Sequence, residues 1–127
     1  MAIRAEDIIV DKEDQLEKIE DWCLPGETIR AVFDLKGGGA GFLGITDKRV
    51  IFYDKAFMRR QKAMVTIPYG KIHAISSEDD TGKVIKRGFF SSSKLSIHAG
   101  ANSFVFDFRG GDKAHIAYQI IMEYLLT

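Results

Sequence analysis

Apolar and polar residues alternate through most of this chain with a period of two, and only near its two ends does the spacing become helical. Ile29, Ala31, Phe33 and Leu35 alternate with Thr28, Arg30, Val32 and Asp34, which predicts a strand with one apolar face. The stretches 42–46 and 49–53, separated by Asp47-Lys48, read as a tight hairpin. Met64 to Ile67, ended by Pro68, and Ile72 to Ser76 add two further strands. Lys94 to His98 and Ser103 to Phe108 form a last hairpin through Ala99-Gly100-Ala101-Asn102. In it Leu95 and Ile97 point one way, and Phe104, Phe106 and Phe108 share a face. Lys83 to Phe90 suits a strand and an ordered loop equally well.

Helical spacing occurs twice. Leu16, Ile19 and Cys23 recur at intervals of three and four, with Trp22 beside them, and predict a helix over 11–24. Asp11 is placed to cap it, Asp14 lies in its first turn, and Pro25-Gly26 stops it. Near the other end Ala117, Ile120, Ile121, Tyr124 and Leu125 predict an amphipathic helix from Lys113 to Leu126, with Asp112 as its cap. The order is therefore helix, about seven strands in a meander, then helix. That is a mainly β, α+β architecture: a sandwich or open barrel whose mouth a terminal helix can plug. The expected core joins Phe104 and Phe106 to Leu95, Ile97, Ala117, Ile120, Ile121 and Tyr124.

Composition narrows the class. A chain of 127 residues, 46% apolar and 28% charged, suits one ordinary globular domain spanning residues 1–127. No apolar run approaches the roughly 18 to 20 residues of a spanning helix, and the charged N-terminus lacks the apolar stretch of a secretory leader. The single cysteine, Cys23, excludes an internal disulfide and agrees with a reducing, cytoplasmic setting. Net charge is zero but unevenly spread. Residues 1–27 carry nine acidic and three basic groups, so the remainder has nine acidic and fifteen basic, each total being 18. That excess is too sparse for a nucleic-acid footprint.

The candidate chemistry is thin. Gly39-Ala-Gly-Phe-Leu-Gly44 matches the dinucleotide fingerprint by letter, but the fingerprint needs a helix N-terminus after it, and a hairpin follows instead. His73, His98 and His115 are too scattered in sequence to suggest a metal site. Ser91-Ser92-Ser93 forms no nucleophile elbow, and Cys23 has no histidine near it in sequence. No catalytic, cofactor or metal residues are assigned, and the expected role is non-enzymatic.

The stretch Gly41-Phe-Leu-Gly-Ile-Thr-Asp-Lys-Arg-Val-Ile-Phe-Tyr, with Val65-Thr-Ile-Pro-Tyr-Gly-Lys-Ile and Phe104-Val-Phe-Asp-Phe before a single helix, resembles the bacterial pleckstrin-homology-like (PH-like) family, and more loosely the GRAM domains. The resemblance runs from about Gly26 to Leu126 and leaves the N-terminal helix as an addition. It implies seven strands in two orthogonal sheets capped by the C-terminal helix, and a binding role without catalysis. It further implies a ring-forming homo-oligomer, five-fold, that presents a surface to a protein partner. Phe89 and Phe90 are the candidate subunit-interface residues. The alternative is contact with an anionic membrane or ligand through Lys36, Arg59, Arg60, Lys62, Lys83, Lys86 and Arg87. Against lipid specificity, the first hairpin loop, where lipid-binding relatives cluster cations, carries only Lys36.

Overall fold

The computed structural model describes residues 1–36, 41–53, 64–79 and 92–127. Along them run β1 (Ile3–Val10), α1 (Glu13–Trp22), β2 (Thr28–Asp34), β3 (Phe42–Thr46), β4 (Arg49–Tyr53), β5 (Met64–Pro68), β6 (Ile72–Asp79), β7 (Ser92–Ala99), β8 (Asn102–Arg109) and α2 (Lys113–Leu125). One 3-10 turn, Tyr69–Lys71, follows β5. The strands form two sheets, ordered β1-β2-β3-β4-β5 and β6-β7-β8. The chain divides into two compact units, Met1–Tyr69 and Gly70–Thr127. The fold is mainly β, with a helix near each end and, among the described residues, seven strands between them, as the pattern predicts.

The N-terminus departs from expectation. The acidic stretch before the helix is a strand, β1, which pairs in parallel with β2 through Ile3–Thr28, Arg4–Ile29, Ile9–Ala31 and Val10–Val32. Asp11 is not the helix cap. That position belongs to Lys12, which makes no side-chain capping bond, and Asp11 Oδ2 instead accepts the Asp34 backbone N–H at 2.9 Å. A parallel neighbour requires a crossover, and α1 supplies it.

In the first unit α1 lies on one face of the sheet. Leu16 and Ile19 form a buried cluster with Ile29, Val32, Phe42 and Ile51, flanked by Ile8, Val10, Trp22, Cys23, Tyr53 and Met64. Register explains this face: Val32 pairs with Gly44, Gly44 with Ile51, and Phe42 with Tyr53, so these side chains all point towards α1. Gly44 is glycine because Ile19 occupies its side-chain space; an added Cβ would come within 2.8 Å of Ile19 Cδ1. Trp22 stacks on Phe42 at 5.8 Å and an 8° interplanar angle, and Tyr53 leans on both rings. The opposite face, with Ala31, Phe33, Leu43, Ile45, Val50, Phe52 and Ile67, is buried too. Burial on both faces makes β3 and β4 near-continuous apolar runs in sequence rather than clean alternations.

In the second unit β6, β7 and β8 form an antiparallel meander, with α2 packed against all three strands. Leu95 pairs with Phe106 and Ile97 with Phe104, so the phenylalanine stripe and the β7 leucine and isoleucine share a face. Leu95, Ile97, Phe106, Phe108, Ala114, Ala117, Ile120 and Ile121 are buried. Phe104 and Tyr124, expected in the core, are only half-buried. The α2 cap is also reassigned. Asp112 holds the N-cap position without a side-chain bond. Ser93 Oγ instead accepts the Ala114 N–H at 2.8 Å and donates to the Gly110 carbonyl at 2.8 Å. A serine of the supposed Ser-Ser-Ser motif thus satisfies an otherwise orphaned helix donor.

Candidate interaction surface

The corner where α1 gives way to β2 is held by a buried ion pair. Glu27 is fully buried, and Arg49 reaches it from β4 in a two-pronged contact, Nε to Oε2 at 2.9 Å and Nη2 to Oε1 at 2.9 Å. Thr46 Oγ1 donates to Glu27 Oε2 at 2.6 Å and the Leu24 N–H to Oε1 at 2.9 Å, so both carboxylate oxygens are satisfied twice. Arg49 also donates to the Trp22 carbonyl and to Thr66 Oγ1, each at 3.1 Å. Burial pushes the Glu27 carboxyl up, but the bonds from Arg49, Thr46 and Leu24 outweigh it and hold the group down at about 2. Burial, reinforced by Glu27, pushes the neighbouring Cys23 thiol up to about 12. A thiol held protonated is a poor nucleophile, so this cluster is a fastener. Sequence reading passed over it because Glu27, Thr46 and Arg49 lie on different segments.

On the outer side of the same corner Arg4 of β1 binds Glu20 of α1 at 2.6 Å and Glu13 at 3.0 Å. The Glu20 hydrogen bond raises the guanidinium and lowers its own carboxyl. Gln15 Nε2 donates to Asp34 Oδ1 at 2.8 Å, and Lys12 Nζ lies 3.5 Å from Asp34 Oδ2. These contacts dock the appendage and leave Glu6, Asp7, Glu13, Asp14, Glu17 and Asp21 exposed.

The sheet edges differ in how they are finished. In the first sheet, β1 is charged and its pairing is irregular between Arg4 and Ile9, while β5 is five residues long and ends in Pro68. Both devices discourage strand addition. In the second sheet β6 and β8 are eight residues each and contain no proline. Among the described residues no strand pairs with the outer side of either. Beside β6 lies a groove of about 350 Å³ lined by Ile72, Ile75, Tyr118, Met122, Leu125 and Leu126, with His73 and Ala74 completing it. Leu126, on its rim, is 76% exposed, and Val105 on β8 is 61% exposed. β6 carries a bulge between Ile72 and Ala74 but is long and proline-free, and such an edge beside apolar surface is a place where another chain can dock.

Of the residues expected to meet an anionic ligand, Lys36 follows β2 and is partly exposed. Arg59, Arg60, Lys62, Lys83, Lys86 and Arg87, and the interface candidates Phe89 and Phe90, lie outside the described residues, as does the whole Lys83 to Phe90 stretch. Gly41 leads into β3, not into a helix, so the context that a dinucleotide fingerprint needs is missing. The histidines are less scattered than their spacing suggested: the His73 and His98 rings lie with centroids 6.2 Å apart. Among the described residues no group of three or more His, Cys, Asp or Glu is arranged to hold a metal ion, and no helix is long and apolar enough to cross a membrane.

Two sheets of meandering strands followed by one C-terminal amphipathic helix define a PH-like domain. Comparison with known families bears this out: residues 25–123 match the bacterial PH domain family. The chain belongs to that family, and β1 and α1 fall outside the matched region. Among solved structures, the C-terminal domain of an unknown protein from Leishmania infantum is similar in fold, with a TM-score of 0.52 at 16% identity over 90% of this chain and 94% of that one. A comparison with curated proteins found no match.

Proposed function

We propose that this protein is a non-catalytic PH-like module that assembles head-to-tail into a cyclic homo-oligomer, five-fold by family resemblance, and presents a surface to a protein partner. The observation that carries this reading is the eight-residue, proline-free β6 edge beside its apolar groove. Charge supports contacts between unlike patches. Residues 1–27 are acidic and the remainder is basic, so a head-to-tail contact can oppose unlike charges, whereas a two-fold contact sets each patch against its own copy. Leu126→Glu places a charge on the groove rim at an exposed position. The expected result is a fall in solution mass with the melting temperature kept; an unchanged oligomer mass would remove the groove from the contact.

The second reading, binding to an anionic membrane, draws on the basic excess of residues 28–127. Co-sedimentation with phosphatidylserine vesicles that is lost in moderate salt would favour it. No sedimentation at low salt would dismiss it.

A further inference from the structure

The strand pairing of the second sheet brings together two side chains that are far apart in sequence. β6 and β7 pair at Ile72–Ala99 and again at Ala74–His98, with a register shift between them, and the extra residue in β6 is His73. Bulges of this kind re-aim a side chain. Here the bulge sets the His73 ring beside that of His98, centroids 6.2 Å apart and planes at 36°. One nitrogen of each ring also has a polar partner. His73 Nε2 lies 3.3 Å from the Gly100 carbonyl, which can only accept, so that nitrogen carries the proton and Nδ1 keeps its lone pair. His98 Nδ1 lies 2.9 Å from Ser103 Oγ, and when it donates there Nε2 keeps the lone pair. A carbonyl or hydroxyl on the far nitrogen is the usual support of a metal-binding imidazole, because it fixes both tautomer and ring orientation.

We propose that His73 and His98 form a two-imidazole site for a borderline divalent transition ion of the Zn²⁺, Ni²⁺ and Cu²⁺ class. A metal–nitrogen bond of about 2.0 to 2.1 Å puts the ion about 3.2 Å from the ring centre, so two rings sharing one ion have centres about 5.2 Å apart at a tetrahedral angle and about 6.4 Å apart when they lie opposite each other. The observed 6.2 Å suits ligands on nearly opposite sides of the ion, and for a tetrahedral ion the exposed His73 side chain has to move inward by about 1 Å. Imidazole selects this class over Mg²⁺ and Ca²⁺, which take oxygen donors. Two protein ligands leave the remaining positions to water or to a donor on another molecule, so the ion exchanges readily. The site draws on no contact between copies, although His73 also lines the β6 groove.

Calorimetric titration of the intact chain with Ni²⁺ and with Zn²⁺ tests it. One ion per chain is expected, with affinity reduced at least about tenfold in both His73→Asn and His98→Asn and unchanged in His115→Asn. Metal-free melts establish that the variants fold. In the wild type, Zn²⁺ should shift the imidazole ¹⁵N signals of His73 and His98 and leave those of His115 in place, a readout that needs no variant. Absence of binding at millimolar ion, equal binding by the variants, or an equal loss in His115→Asn would overturn the proposal.

Discussion

At the scale of single residues, the Glu27 carboxylate is the group on which the first unit most depends. A fully buried charge that loses its partner typically costs about 3 to 5 kcal/mol, so Arg49→Met should destabilise strongly, and Glu27→Gln should do so by leaving the guanidinium without its counter-charge. The sign of the pH dependence follows from the lowered carboxyl. Glu27 stabilises the fold fully above the ordinary carboxyl value of 4.5, and that stabilisation is lost as pH falls towards about 2. Denaturant midpoints between pH 6 and pH 2.5 should therefore drop more steeply in the wild type than in Glu27→Gln; parallel curves would mean that another carboxyl governs acid unfolding. In the second unit, Phe106 is 5% exposed and Phe104 half-buried. Phe106→Ala should cost about 3 to 5 kcal/mol and Phe104→Ala clearly less, both read from denaturant melts. Sequence period alone ranks the two alike, since it assigns a face but not how far along the strand the cover extends.

The element that sequence reading missed is β1, and the reason is physical. Its apolar residues, Ile3, Ile8, Ile9 and Val10, break the period of two because pairing with β2 is irregular between Arg4 and Ile9. Its charges, Arg4, Glu6 and Asp7, mark an outermost strand, where sequence alone shows only an acidic stretch before the helix. Long elements with a regular stripe, such as the β7–β8 hairpin and α2, were legible because their pattern is local and uninterrupted. Caps were not: Asp112 holds the N-cap position of α2 yet Ser93 bonds the Ala114 N–H, and the N-cap of α1 is Lys12 while Asp11 bonds the Asp34 N–H across to β2, contacts that form only after the chain has folded. Gly44 tests the α1–sheet packing directly. Gly44→Ala drives a methyl into the buried Ile19 and should cost about 1 to 3 kcal/mol, whereas Gly70→Ala, with open space around it, should cost far less. Deleting residues 1–24 removes Leu16 and Ile19 from the Ile29–Val32–Phe42–Ile51 cluster, so the family-matched region alone should melt well below the full chain. Equal melting temperatures would show the appendage to be dispensable to the fold.

At the scale of the whole molecule, family membership establishes what kind of domain this is, and the proposal for its use rests on its edges and charges. The expectation of a binding role comes from the family resemblance, because no catalytic or metal motif in the sequence points elsewhere. The candidate surface could not be read there, because an exposed edge and a groove are properties of pairing and packing. If unlike charges steer the contacts between copies, assembly should slow as salt rises through the range where screening shortens to about 8 to 10 Å. The most direct measurement is the mass of the intact protein in solution, by light scattering on a sizing column at micromolar concentration. The account predicts a single species several times the 14.3 kDa chain mass, five-fold if the family resemblance holds to that detail. A monomer, or a dimer that stops at two copies, would contradict it.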